Sequence, residues 1–152
     1  MELISNNVEQ TKKIGYDFAK SLDTGGHKSV FIAMHGEMGV GKTAFTSGFA
    51  SYFGISTIKS PTYSVMNQHT SPSGIRIYHF DMYRIADEDD LYSIGYDDYR
   101  DAQGYKIVEW SENIEGEIPS DAVFVTIERC EASPEMRKIT IQGGIWDENS
   151  CP

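Results

Sequence analysis

Val8, Thr11, Ile14, Gly15, Phe18, Ala19 and Leu22 recur at the spacing that gathers side chains on one face of a helix. Asn6 or Asn7 precedes them as a cap and Gly25-Gly26 follows as a stop, so an amphipathic helix is expected between. The period then changes. SVFIAMHG, residues 29–36, is a short unbroken apolar run and reads as a buried strand. From about Lys42 to Phe53 helical spacing returns, with Phe45, Phe49, Ala50 and Phe53 on one face and Gly54 as the stop.

The middle of the chain reads as a hairpin: SVMNQH and IRIYHF alternate, and Ser71-Pro72-Ser73-Gly74 lies between them as a turn. DEDDLYSIG predicts a short helix whose acidic first turn suits the helix dipole. YKIVEW predicts another strand, and AVFVTIE and RKITIQ two late strands separated by a loop containing Pro134. There is no internal repeat, low-complexity segment or interdomain linker. One α/β domain over residues 1–152 is expected, with 143–152 as a tail.

Composition adds limits. Hydrophobic residues are 39% and charged residues 24%, a soluble globular balance. No apolar run approaches the roughly 20 residues of a membrane span. MELISNNVEQ has neither basic head nor apolar core, so no signal peptide is expected. Cys130 and Cys151 make no disulfide framework, which favours a reducing, cytoplasmic location. The net charge of −10, from 13 basic and 23 acidic residues, opposes strong direct binding of nucleic acid by this chain alone. An acidic surface suits a basic partner protein instead.

The candidate chemistry begins at GEMGVGKT, residues 36–43. Gly36, Gly41, Lys42 and Thr43 match G-x-x-x-x-G-K-[ST], and Gly39 adds a third glycine. The match follows a predicted strand and opens a predicted helix. There, backbone N–H groups converge on one concavity suited to a polyphosphate, Lys42 can reach the β- and γ-phosphates, and the Thr43 hydroxyl can ligate Mg²⁺. With the order of elements, this predicts a three-layer P-loop NTPase fold with a mixed central sheet. Mg²⁺ needs more oxygen, usually from carboxylates and water. Asp81 and Glu109 stand at predicted strand ends, where the ligand crevice of an open α/β sheet lies. Either alone could instead cap a turn or make a surface ion pair, Asp81 with Arg84, a reading that two such residues together make weaker.

No asparagine is followed by lysine, and Asp101-Ala102-Gln103-Gly104 precedes a strand rather than ending one, so guanine recognition has no support and adenine is the default. Thr62, in Ser60-Pro61-Thr62-Tyr63, reads either as a γ-phosphate or Mg²⁺ sensor or as part of a turn leading into a strand. His27, His35, His69 and His79 have no metal-binding spacing, and His79 reads as a core or rim histidine. Tyr83, Tyr92, Tyr96 and Tyr99 suit an interaction face or internal packing equally.

GEMGVGKTAFTSGFA, SPTYSVMN, YHFDMYRI, LYSIGYDDY and IVEW, in that order, resemble the bacterial TsaE (YjeE) family, the small ATPase of threonylcarbamoyladenosine (t6A) biosynthesis in tRNA. The resemblance spans roughly residues 5–142. It implies that Gly36, Glu37, Met38, Gly39, Val40, Gly41, Lys42, Thr43 and Ala44 contact ATP. It implies that Thr43 and Glu109 hold Mg²⁺, with Asp81 directly on the ion or one shell out, and that Thr62 lies in a switch-like loop. Thr11 and Arg137 match positions of nucleotide contact, and Trp110 would pack beneath the nucleotide or face a partner. The partners implied are the TsaD and TsaB proteins, with ATP hydrolysis resetting their complex between cycles. The tail GGIWDENSCP carries no motif of the family.

The expected activity is a Mg²⁺-dependent ATPase, weak alone and stimulated by partners, with Lys42, Asp81, Glu109 and Thr62 at the chemistry. Arg76, Arg84, Arg100, Arg129 and Arg137 are scattered along the chain, and none presents itself as an arginine finger. A small-molecule P-loop kinase and a nucleotide-dependent docking module without required hydrolysis stay open as alternatives.

Overall fold

The computed structural model describes residues 1–56, 58 and 65–144. Seven strands form one mixed sheet: β1 (Glu2–Ser5), β2 (Val30–His35), β3 (Met66–Thr70), β4 (Arg76–Asp81), β5 (Tyr105–Glu109), β6 (Val123–Cys130) and β7 (Ser133–Gln142), in the order β1-β7-β6-β2-β5-β4-β3. β2 lies parallel to both β5 and β6, and β4 parallel to β5. The outer pairs, β1 with β7, β6 with β7 and β3 with β4, are antiparallel. The chain thus turns away from β2 to opposite sides, and a crevice opens at the carboxyl end of this central strand.

Helices α1 (Val8–Thr24) and α2 (Lys42–Tyr52) cover one face of the sheet. Phe18 and Leu22 of α1 and Phe45 and Phe49 of α2 bury against Ile32, Met34, Ile107, Val125 and Ile139. Helices α3 (Glu88–Ser93) and α4 (Tyr96–Arg100), with 3-10 turns over Ser111–Glu117, cover the other face through Leu91, Tyr96 and Ile114 on Phe31, Tyr78, Phe80 and Val108. The sheet is therefore sandwiched between two helical layers, as its apolar residues on both faces require.

Local chemistry sets the helix ends. Asn7 caps α1: its Oδ1 accepts from Gln10 N at 2.9 Å, and the Gln10 side chain accepts in turn from Asn6 N at 2.8 Å. Asp87 caps α3 by accepting from Asp90 N at 2.9 Å. Helices α1 and α2 touch backbone to backbone. A Cβ on Gly15 would lie 2.2 Å from Phe45 O, and one on Gly48 only 1.9 Å from Lys12 O.

Four details depart from the sequence reading. β1, α4 and the 3-10 turns over Ser111–Glu117 were not foreseen. Pro134 lies inside β7 rather than in a loop, because Glu131 and Ala132 alone make the β6–β7 turn. Pro134 is tolerated there beside the register shift at Arg129/Cys130 and beyond the reach of β1, whose pairing with β7 ends at Ser5↔Arg137. Of the four tyrosines, Tyr96 is buried and Tyr99 packs on Tyr78 and Phe80, whereas Tyr83 and Tyr92 are exposed. No helix among the described residues is long and apolar enough to cross a membrane.

Candidate functional site

β2 ends at His35 and the chain turns through residues 36–41 into α2. Gly36 passes so close to β6 that a Cβ would stand 2.7 Å from Ile127 O. Gly41, at φ 122°, is the N-cap residue, a conformation that side-chain-bearing residues rarely adopt. It gives α2 no side-chain cap, so the first-turn amides lack the partner that Asn7 supplies to α1. The loop's carbonyls, in contrast, are engaged by cations. Lys42 Nζ donates to Gly36 O at 2.7 Å, Arg137 Nε to Val40 O at 2.7 Å, and an Arg129 guanidinium nitrogen to Gly39 O at 3.4 Å. A helix start without a side-chain cap, flanked by these cationic side chains, favours an anion.

Beside this turn lies a cleft of about 330 Å³ lined by Met38, Gly39, Gly41, Lys42, Thr43, Asp81, Glu109 and Trp110. Sheet register explains how residues so far apart in sequence meet. Asp81 pairs with Glu109 across β4 and β5, and Glu109 pairs with Met34 across β5 and β2. All three strands end at one level. Asp81 Oδ1 accepts from Tyr83 N at 2.9 Å, so this carboxylate also caps the turn after β4. Glu109 is only 6% exposed, and its Oε2 is 2.7 Å from His79 Nε2.

Lys42 is likewise 6% exposed, with Nζ 4.6 Å from the Trp110 ring centroid. Trp110 has φ 57° and ψ 39°, the single positive φ of a non-glycine residue among those described. Such a conformation costs on the order of 1–3 kcal/mol and persists only where the surroundings impose it. Here the Tyr83 ring packs on the indole at 5.1 Å between centroids, and Ser111 Oγ donates to Met34 O at 3.2 Å just beyond it.

A second, smaller cleft of about 170 Å³ shares Gly39 and Gly41 with the first and adds Asn7, Val8, Thr11, Val40, Ala44, Pro134, Glu135 and Arg137. Thr11 is buried, with Oγ1 at 2.7 Å from Ser5 Oγ. The glycine turn thus separates two adjoining recesses, one acidic and one bearing Arg137.

Most of the sequence-derived candidates converge here. Met38, Gly39, Gly41, Lys42, Thr43, Asp81 and Glu109 line the first cleft, and Thr11, Val40, Ala44 and Arg137 the second. Gly36 and Glu37 line neither: Gly36 acts through its tight packing, and Glu37 is exposed with its carboxylate 4.0 Å from Arg129 Nε. Thr62, Trp146 and Cys151 lie outside the described residues. Two features escaped the sequence reading. His79 is a core histidine as expected, but it is bonded to a site carboxylate. Arg129 and Arg137, scattered in sequence, are direct register partners across β6 and β7, and both hold the glycine turn. Alternation along β4 could have put His79 on the face of Asp81, but not within reach of Glu109, which lies two residues beyond its register partner Ile107.

Thr43, Asp81 and Glu109 offer this cleft oxygen donors, the chemistry a hard cation takes. No group of three or more His, Cys, Asp or Glu able to hold a metal occurs among the described residues. Mg²⁺ commonly takes one or two carboxylates and completes its shell with water and ligand phosphates.

The family model described as "Threonylcarbamoyl adenosine biosynthesis protein TsaE" matches residues 5–139. The chain is 36% identical over 138 residues to the tRNA threonylcarbamoyladenosine biosynthesis protein TsaE of Bacillus subtilis, covering 88% of this chain and 80% of that protein. It is 35% identical over 102 residues to the Haemophilus influenzae protein of the same name, covering 66% and 64% respectively. Among solved structures, Bacillus subtilis YdiB superposes with a TM-score of 0.76 at 29% identity, over 94% of this chain and 84% of that one. The chain belongs to the TsaE family of threonylcarbamoyl adenosine biosynthesis proteins.

Proposed function

We propose that this chain is a single-domain P-loop ATPase that serves t6A modification of tRNA at position 37 by resetting a TsaD–TsaB complex between cycles. One observation carries the reading: a helix start without a side-chain cap opens beside a cleft that also gathers Lys42, Thr43, Asp81 and Glu109.

In this reading the amides of the turn and of the first turn of α2 receive the triphosphate tail of ATP, and Lys42 exchanges Gly36 O and the Trp110 face for phosphate oxygens. Thr43 and Glu109, with Asp81 directly or through water, hold Mg²⁺. When bound, that ion neutralises charge on the β- and γ-phosphate oxygens. Asp81, Glu109 or a network of metal-bound water would orient the attacking water by accepting its hydrogen bonds. Thr11, Ala44 and Arg137 receive the nucleoside end in the adjoining cleft. Thr62 senses the γ-phosphate or Mg²⁺.

No arginine presents itself in the sequence as a finger, and Arg129 and Arg137 beside the turn are bonded to its carbonyls. Such a group is worth about 10³- to 10⁵-fold in switch NTPases, so the isolated chain is slow and a partner completes the site. The net charge of −10 fits a cytoplasmic protein that works beside the RNA-handling subunits rather than on tRNA itself. Phosphate release from ATP, measured with and without TsaD and TsaB, tests this. Stimulation by the pair is expected, and full turnover by the free chain with no partner effect would overturn the gating.

A further inference from the structure

His79 is fully buried in the sheet, in the strand stretch Ile77–Phe80. Tyr78 and Phe80 point to the α3–α4 face, and Ile77 to the face covered by α1 and α2. Strand alternation puts His79 with Ile77, and the same alternation puts Glu109 with Ile107. The imidazole therefore sits in an apolar wall directly against the carboxylate, with Nε2 2.7 Å from Oε2. Its other nitrogen, Nδ1, is buried without a hydrogen-bond partner. A position that only filled core space would hold an aliphatic residue, as Ile77 and Ile107 do, and would strand no polar atom.

We propose that His79 is a positioning residue that sets how Glu109 meets the cation, an inference that rests on the Mg²⁺–ATP reading above. Against a carboxylate, Nε2 carries the hydrogen and donates it to Oε2. That bond fixes the carboxylate's orientation and takes up one lone pair of Oε2, which favours Oε1 as the oxygen offered to the cleft. A carboxylate restricted to one oxygen suits Mg²⁺, which demands near-octahedral geometry at short distance. Ca²⁺ readily takes both oxygens of one carboxylate in a looser shell. His79 thus makes the site selective for Mg²⁺ over Ca²⁺ through the orientation of Glu109, as partners behind metal ligands do elsewhere.

The test compares ATP affinity of the full chain, read by a fluorescent ATP analogue, in titrations with Mg²⁺ and with Ca²⁺. For the native sequence a Mg²⁺-dependent gain in affinity is expected. Absence of any metal dependence would sink the Mg²⁺–ATP reading itself. For His79→Leu the affinity for Mg²⁺ should fall by about 10- to 100-fold while Ca²⁺ support changes less, so the preference falls. For His79→Gln, whose amide can donate to the same oxygen, most of the preference should return. An unchanged Mg²⁺/Ca²⁺ ratio in His79→Leu overturns the positioning role alone, as does an equal loss in both variants. If His79→Leu does not fold, nitrogen NMR of the native chain decides: an Nε2–H tautomer supports the role, and an Nδ1–H tautomer overturns it.

Discussion

Arg137 Nε donates to the main-chain carbonyl of Val40 at 2.7 Å, which ties strand β7 to the glycine turn across 97 residues of sequence. The same guanidinium donates through Nη1 to Pro134 O at 2.7 Å and Met136 O at 2.8 Å, so Nε and Nη1 are both held by backbone. A lysine has no such fork. Arg137→Lys and Arg137→Ala are both expected to weaken ATP binding, each by about tenfold or more if one charged hydrogen bond of roughly 1.5–3 kcal/mol is lost. Equilibrium titration with a fluorescent nucleotide checks this, and full rescue by lysine would contradict it.

Lys42 and Trp110 give an optical readout. Nζ lies over the indole at 4.6 Å and must leave it to reach a phosphate. With Trp146 replaced by phenylalanine, Trp110 is the sole tryptophan. Adding ATP and Mg²⁺ should then change its emission, and Lys42→Met should abolish the change. An emission change that survives in Lys42→Met would mean that the indole senses something other than the lysine.

Glycine-to-alanine changes usually stabilise a helix by roughly 0.5–1 kcal/mol. Gly48→Ala in α2 should do the opposite, because its Cβ would meet Lys12 O at 1.9 Å. The cost of forcing atoms into a packed contact is about 1–3 kcal/mol or more. Denaturant unfolding of the variant should show a clear loss of stability, and a gain would mean that α1 and α2 do not touch as described.

Lys106 is 4% exposed, and burial holds its pKa below the ordinary lysine value of 10.5. Its Nζ donates to Ala102 O at 2.7 Å and Ser29 Oγ at 2.9 Å, with no carboxylate among these partners. Between the depressed folded value and 10.5 the unfolded chain binds the extra proton, so stability due to this residue rises with pH in that window. Comparing unfolding of the native chain with Lys106→Met from pH 8 to 10 isolates the effect. The native chain should gain on the variant as pH rises, and parallel curves would contradict the burial.

These contacts mark what the sequence could and could not disclose. The cap at Asn7, the strand before Gly36 and the helix after Gly41 depend on neighbours in sequence, so spacing and residue type were enough. α4 depends on Tyr96 burying against Phe31 and Phe80, and a five-residue segment has little helical tendency of its own. β1 is a strand because β7 pairs with it and the terminal amine reaches Ile141 O at 3.0 Å. The bond from His79 to Glu109 and the pairing of Arg129 with Arg137 are matters of register between strands. Asp81 and Glu109 were legible as a pair because both end strands, a rule that needs no register.

Whether α2 and its cleft bind ATP with Mg²⁺ is most directly settled by calorimetric titration of the nucleotide into the folded chain, repeated with TsaD and TsaB present. Saturable heat is expected that requires Mg²⁺ and is greatly diminished by Lys42→Ala. No heat at millimolar nucleotide in either state, or binding that ignores both Lys42 and Mg²⁺, would contradict the proposed site.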